Sequence, residues 1–448
     1  MTKFIFNSNI TAKADPAMNN PTIKKLWNSY CLKKFDIELT EGAKNTFSIG
    51  NVEPPILPEG KEYALRITES GAAVTGCDYS GLVRGFIALL MRIECKKDCF
   101  ILTEAYEESH YTIKNRMIHI CVFPEDDLYF IKKLVRLCGL CQYTHIVIEF
   151  WGMLKYDCLA ELAWPNAFTK AEAREVIAEA RELGMEPIPM FNQLGHASAS
   201  RVLLGKHVVL DQNPALQYLF TPDGWAWDIE SDEVFELLKK VRLELYELFG
   251  EGEYMHIGCD EAYYFTAHEE YHDIMPKFLT KLTNEVAAEG KRPMMWVDML
   301  LEKGKYPQCD AAFCAPDKVE PMQKSLHPST VMVDWQYNVT QVPVPSVMSL
   351  KDNGHDVMGA PWYKPENYTA WVETIKDNNF FGIMMTTWHL LNPNMPCVLG
   401  CAKLCGAASF PWGSPTRHRE ETASLLRRIS FEGNTYEDCG WAKLQVIV

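Results

Sequence analysis

Tyr254-Met-His-Ile-Gly-Cys-Asp-Glu261 is the stretch from which the rest of the chain can be read. A short apolar run meets a glycine, and two adjacent carboxylates follow at once. Apolar runs of about four to eight residues bounded by breakers read as strands buried on both faces, the kind parallel sheets use. Upstream, Val234, Leu237, Leu238, Val241, Leu245 and Leu248 form a helical stripe that stops at Gly250. Downstream, a second amphipathic helix over about 274–288 leads into another apolar run ending in Asp298. The local pattern is therefore helix, strand, helix, strand.

The same alternation extends in both directions. Apolar strands are predicted at 116–123, 145–151, 186–192, 254–260, 293–298, 330–335, 356–362 and 381–388, with helical segments between them. Thr169-Lys-Ala-Glu172 is a capping box that starts one of those helices, which runs to Gly184. Eight strands alternating with helices predict a (β/α)8 TIM barrel over residues 111–448. An open doubly wound sheet is the competing fold, but no G-x-G-x-x-G or P-loop run follows any strand. Residues 1–110 have a different rhythm. An alternating pair of runs around Ser70-Gly71 predicts a β-hairpin, and 80–93 predicts a helix with Leu82, Phe86, Leu89 and Leu90 on one face. This segment reads as a small α+β non-catalytic domain, closing in the polar run 104–110.

Composition narrows the function classes. The 448 residues carry 44 Lys+Arg against 59 Asp+Glu, a net charge of −15, which argues against a nucleic-acid binder. No run approaches the ~18 apolar residues of a membrane span, and no signal-peptide pattern opens the chain. The sequence thus predicts a cytoplasmic protein without a membrane partner. The fifteen cysteines fit a reducing compartment. Cys138-Gly-Leu-Cys141 has no matching second pair, and Cys397, Cys401 and Cys405 repeat at helical spacing, so buried or scattered reduced thiols are expected rather than a metal site.

In such a barrel the chemistry sits at the C-terminal strand ends. Those ends carry Asn192, Gln193 and His196; Asp260 and Glu261; Trp296 and Asp298; Asp334, Trp335 and Tyr337; Trp362 and Tyr363; Trp388 and His389. Aromatic residues on four successive strands, beside one carboxylate pair, suit a sugar: pyranose C–H faces stack on rings and hydroxyls need polar partners. Two adjacent carboxylates can divide acid and electrostatic work, because their surroundings push their proton affinities apart. Carboxylates facing each other from different strands would instead suit a double displacement.

His256-Ile-Gly-Cys-Asp-Glu261 resembles the H-[IL]-G-G-D-E signature of glycoside hydrolase family 20, the β-N-acetylhexosaminidases. Leu194-Gly-His196 is similar to that family's P-G-H loop. Arg116 resembles its strand-1 arginine, and Trp296, Trp335, Trp388 and Tyr363 fall where it places sugar-walling residues. The resemblance implies an exo-acting, retaining hydrolase that releases terminal GlcNAc or GalNAc from a glycan or glycoconjugate, with no cofactor and no metal. It implies substrate-assisted catalysis, in which the 2-acetamido oxygen attacks C1 to form an oxazolinium ion. Glu261 would be the acid/base and Asp260 would orient the acetamido N–H. Arg116, Glu149, His196, Trp296, Asp298, Trp335, Tyr337, Trp362, Tyr363, Trp388 and His389 would bind or position substrate.

Several positions depart from the pattern. Cys259 replaces the second glycine, Pro365 stands where the family has an Asp after the strand-7 tyrosine, and Trp388-His-Leu390 lacks the Glu of W-x-E. These changes resemble a divergent branch similar to the hexosaminidase D type, and they leave His389 and Glu149 as candidates for reading different hydroxyls. Three other readings remain open at this point. One is a metal-dependent hydrolase built on His196, His256, Asp260 and Asp298; another is a non-catalytic sugar-binding barrel; the third is a barrel glycosidase acting on a sugar without a 2-acetamido group.

Overall fold

The computed structural model describes residues 2–6, 10–31, 37–96, 99–198, 209–388, 391–406 and 418–429. Eight strands form one parallel sheet: β1 (Asn115–Cys121), β2 (His145–Glu149), β3 (Glu186–Pro189), β4 (Tyr254–His256), β5 (Arg292–Trp296), β6 (Val331–Asp334), β7 (Asp356–Gly359) and β8 (Gly382–Thr387). Their order is β3-β2-β1-β8-β7-β6-β5-β4. A parallel bridge between Met190 and His256 joins the two outer strands and closes the ring. All eight predicted strands are present, several shorter at the C-terminal end than the sequence suggests. The residues beyond those ends belong to the loops that build the site.

Strand parity explains the double burial. Met117, Val147, Ile188, Met294, Val333, Met358 and Met384 point inward and pack together inside the barrel. Their sequence neighbours Ile118, Ile146, Met295, Met332, Val357 and Ile383 point outward, into the core shared with the helices. Those helices are α1 (Leu128–Leu140), α2 (Lys170–Glu182), α3 (Asp232–Phe249), α4 (Tyr271–Ala288), α5 (Pro316–Ser325), α6 (Pro345–Lys351), α7 (Pro365–Asn378) and α8 (Leu391–Leu404). The predicted capping box holds: the Thr169 side chain accepts from the Glu172 N–H, and the Glu172 carboxylate accepts from the Thr169 N–H. The Asp127 and Ser231 side chains cap α1 and α3, each accepting one backbone N–H, from Phe130 and Val234. Among the described residues no helix is long and apolar enough to cross a membrane, and every described cysteine is a free thiol.

The leading segment holds more strands than its sequence shows. Its six-stranded sheet runs Ile37–Glu41, Ile10–Ala14, Thr46–Gly50, Gly71–Gly76, Tyr63–Thr68, Ala105–Glu108. The predicted hairpin lies within it, with Leu65 opposite Val74, and the helix Tyr79–Met91 packs against it through Leu82, Phe86 and Leu89. Ala105–Glu108 is the edge strand of this sheet, and its Glu107 is neutralised by Arg92 and accepts from the Tyr63 hydroxyl.

The structure corrects the placement of Arg116. Its guanidinium lies at the N-terminal mouth of β1, away from the strand ends that carry the chemistry. There it donates to the Ile113, Lys114 and Gln142 carbonyls, stacks 3.5 Å over the Tyr111 ring, and pairs with Glu62 of the leading segment at 3.2 Å. A residue that opens a strand faces the bottom of a barrel, so Arg116 cannot meet a ligand at the top. Glu62 also takes Arg84, so one carboxylate links two arginines across the junction.

Candidate active site

The chain leaves β4 through a turn with unusual backbone. Gly258 has φ 65°, Cys259 76° and Glu261 51°. Left-handed backbone is free for glycine and costs roughly 1–3 kcal/mol for a side-chain-bearing residue, so surrounding bonds must hold it. Asn192 accepts the Cys259 N–H at 2.9 Å, Asp298 accepts the Glu261 N–H at 2.9 Å, and the Trp225 indole donates to the Glu261 carbonyl at 2.7 Å. A Cβ on Gly258 would stand 2.6 Å from the Asn192 side chain, and one on Gly195 would stand 2.0 Å from the Asp260 carbonyl. Glycine at these two positions is what lets the loops after β3 and β4 touch. Successive residues on a straight strand would face opposite ways; this turn brings both carboxylates to one group.

That group is His196. Its Nε2 lies 3.3 Å from the Asp260 carboxylate and 3.1 Å from the Glu261 carboxylate, so one ring nitrogen faces both. The ring is held between Trp225 at 4.6 Å and Trp151 at 5.5 Å, and His196 itself has φ 51°. Asp260 is also bonded by the Asn192 amide N–H. The two carboxylates differ in surroundings: the Asp260 side chain is 7% exposed and that of Glu261 is 31% exposed. One is fixed among donors and the other reaches water, which is the separation that divided roles require.

Asp298 stands behind the pair. It is buried, one oxygen accepting the Glu261 N–H and the other the Trp335 indole at 3.1 Å. Burial and the charge of Asp260 push its carboxyl well above the usual carboxylate range, against the pull of those two donors. Beyond it a run of rings crosses from β6 to β8. Trp335 packs on Tyr337 at 5.1 Å, Tyr337 meets Trp362 edge-on at 5.3 Å, and Trp362 meets Tyr363 edge-on at 4.6 Å. The Trp388 indole donates to the Tyr337 hydroxyl at 2.7 Å. Burial keeps that phenol protonated.

Not every predicted site residue joins this face. Glu149 is completely buried and bonded to His119 at 3.1 Å, because both occupy inward positions on neighbouring strands below the opening. Trp296 is likewise buried, its ring 4.4 Å from His256 and 5.7 Å from Trp388, so it supports the floor instead of walling the opening. Asp298 anchors backbone and an indole rather than presenting a free carboxylate. His389 lies outside the described residues. His256, a ligand in the metal reading, accepts the Gly258 N–H, and burial lowers its pKa to about 3. Asp260, Glu261 and His196 come together, and Trp335, Tyr337, Trp362, Tyr363 and Trp388 form the continuous aromatic run.

Residues 152–389 match the family described as "Glycosyl hydrolase family 20, catalytic domain", which is more than half of the chain. The chain belongs to glycosyl hydrolase family 20. It is a glycosidase with a TIM barrel, as the strand-4 signature implied. Among solved structures it is similar to a Flavobacterium johnsoniae chitobiase, with a TM-score of 0.68 and 14% identity over 98% of this chain and 72% of that one. A β-N-acetylhexosaminidase of Bacteroides fragilis has a TM-score of 0.66 and 14% identity over 98% and 96%. A Streptomyces plicatus N-acetyl-β-hexosaminidase in complex with Thio-NAglucal has 0.62 and 14% over 98% and 93%. At such identity these likenesses speak for the fold.

Sequence reasoning missed Trp225, Trp227 and the holding role of Asn192. Trp227 donates to the Asn192 carbonyl at 3.0 Å, which fixes the residue that in turn fixes Asp260. The available signal was Trp225-Ala-Trp227, two indoles directly after the Asp223-Gly224 turn.

Proposed function

We propose that this family 20 glycosidase is an exo-acting, retaining β-N-acetylhexosaminidase that removes terminal GlcNAc or GalNAc from a glycan or glycoconjugate. The observation that carries this reading is the adjacent pair Asp260–Glu261, drawn to one histidine by the left-handed turn. Adjacent carboxylates in one turn do not face each other across a sugar as a double-displacement pair would, and the nucleophile in this reading is the substrate's own 2-acetamido oxygen, as the family resemblance implies. Asp260, sheltered and fixed by Asn192 and His196, orients the acetamido N–H and stabilises the positive charge of the oxazolinium ion. Glu261, nearer to water, protonates the departing oxygen and then activates the water that opens the ring. The rings from Trp335 to Trp388 give the sugar a wall to stack against, and the bond to the acetamido oxygen is assigned to Tyr363.

A panel of aryl β-glycosides of GlcNAc, GalNAc, glucose and galactose, with a thiazoline analogue as inhibitor, tests the reading. Hydrolysis confined to the two N-acetylated sugars, with tight thiazoline inhibition, is expected, because ligands resembling the transition state bind preferentially. Glu261→Gln should abolish turnover of a natural glycan and spare more of the turnover of an activated aryl glycoside, which needs little protonation. Equal hydrolysis of glucosides and N-acetylglucosaminides would rule out substrate assistance.

A further inference from the structure

Two indoles from one short segment meet the turn after β4 at different points. Trp225-Ala-Trp227 lies beside the loop that carries His196: the Ala197 N–H donates to the Trp225 carbonyl at 2.8 Å, and the Trp227 N–H to the Leu194 carbonyl at 2.9 Å. Between them Ala226 is closed onto Thr221. The Thr221 N–H donates to the Ala226 carbonyl at 2.8 Å, and the Thr221 hydroxyl oxygen accepts the Ala226 N–H at 3.1 Å. All three residues are thus fixed through their backbone, which holds the two rings as prongs. Trp225 donates its indole N–H to the Glu261 carbonyl at 2.7 Å, with its ring against His196. Trp227 is fully buried, packs on Phe191 and Phe220, and donates to the Asn192 carbonyl at 3.0 Å. Asn192 in turn gives its amide N–H to the Asp260 carboxylate and accepts the Cys259 N–H on its amide oxygen.

We propose that Trp225-Ala-Trp227 is a two-pronged positioning device in which each indole sets one member of the carboxylate pair: Trp225 places Glu261, and Trp227, through Asn192, places Asp260. The inference rests on the acid role given to Glu261 and the acetamido-orienting role given to Asp260 above. Asp260 and Glu261 share one peptide bond, so a single brace would move both together. Here one brace holds the backbone carbonyl of Glu261 and the other ends on the Asp260 carboxylate itself, so each side chain is set separately. An indole suits such a brace, because it carries one N–H donor on a large rigid plane. Both tryptophans are positioning residues that act through their partners. Removing one N–H should therefore degrade one task and spare the other.

The two tasks have separate readouts. Protonation matters to N,N′-diacetylchitobiose, whose leaving group is a sugar, and little to 2,4-dinitrophenyl N-acetyl-β-glucosaminide. Because kcat/KM extends only to the departure of the leaving group, the later water step does not enter it. Orientation of the acetamido group matters equally to both substrates and to the binding of a thiazoline analogue. In Trp225→Phe the ratio of kcat/KM for the disaccharide to that for the aryl glycoside should fall about tenfold, with the thiazoline inhibition constant within about twofold of wild type. In Trp227→Phe the inhibition constant should rise about tenfold, with the ratio within about twofold. Neither reading depends on the fraction of enzyme that is folded, so a loss of stability alone moves neither. Asn192→Ala cuts the Trp227 prong at its middle; it should repeat the Trp227→Phe result, and it carries the test if Trp227→Phe does not fold. An unchanged ratio in Trp225→Phe, or an unchanged inhibition constant in the Trp227 and Asn192 variants, overturns this inference alone. A wild type that is inactive on both substrates, or that the thiazoline does not inhibit, overturns the underlying assignment and this inference with it.

Discussion

Replacing Asp298 by Asn is the most informative single change in the site. The carboxylate accepts from the Glu261 N–H on one oxygen and from the Trp335 indole on the other. An amide has one acceptor, so one of those buried donors must face an NH2 group. Leaving a buried donor unsatisfied costs about 1–3 kcal/mol. If the Glu261 N–H loses its anchor, the residue can relax out of its left-handed backbone and the acid is displaced. Misplacement of about 1 Å commonly lowers rate by about a hundredfold. The expected outcome is a fall of about a hundredfold in kcat/KM on a glycan with a poor leaving group, and a smaller fall on an activated aryl glycoside. Asp298 acts through Glu261, so the two losses should not add: in a Glu261→Gln background the further loss from Asp298→Asn should nearly vanish. Steady-state kinetics on the two single variants and the double variant measure this directly. Additive losses would show that Asp298 does its work elsewhere. Unchanged kinetics in Asp298→Asn would show that a neutral group serves at that position and that the two accepted bonds are not what holds the acid.

Cys259, at φ 76°, gives a stability prediction. Cys259→Gly relieves backbone strain and loses a buried thiol, two effects of about 1 kcal/mol each, so its urea midpoint should stay close to wild type. Cys259→Val places a β-branched residue in left-handed backbone and should lose about 2 kcal/mol or more; a Val variant as stable as the Gly variant would contradict the strained turn. Asp334 gives a pH prediction. It is buried, accepts from Gln336 at 2.8 Å and Ser346 at 2.6 Å, and burial raises its pKa to about 6. The folded protein keeps this proton where the unfolded chain has released it. The stabilisation is therefore full below the unfolded value and is lost as pH rises to about 6, amounting to about 3 kcal/mol. Asp334→Asn should flatten that part of the slope when unfolding is compared at pH 4.5 and 7.5, and an unchanged slope would exclude Asp334 as its source.

Much of the architecture was legible because parallel strands repeat one simple pattern. Val331-Met332-Val333 reads as doubly buried without any knowledge of its neighbours, and Asp260–Glu261 announced itself by following such a run. What was illegible depends on register and on long loops. His119 and Glu149 sit 30 positions apart, and only the parallel register that sets Cys121 opposite Glu149 brings their strands into line. Neither looks like half of a buried pair in isolation. Trp225 reaches Glu261 from a loop 36 positions away, and no periodicity encodes that approach. Arg116 was misplaced for a different reason. Its family likeness was a matter of residue type, whereas its position at the opening of a strand already determined which end of the barrel it faces.

That arginine has a consequence for inheritance. A buried guanidinium matched by Glu62 makes the floor of this barrel fit for one kind of neighbour. A chimera that joins the barrel to an unrelated leading segment must supply a carboxylate at the same height. Without one it strands a buried charge, at about 3–5 kcal/mol. Natural domains have about 5–15 kcal/mol of stability to lose. Recombination between relatives is thus constrained at a joint far from any sugar, and the two parts of the chain are expected to travel through evolution as a matched set.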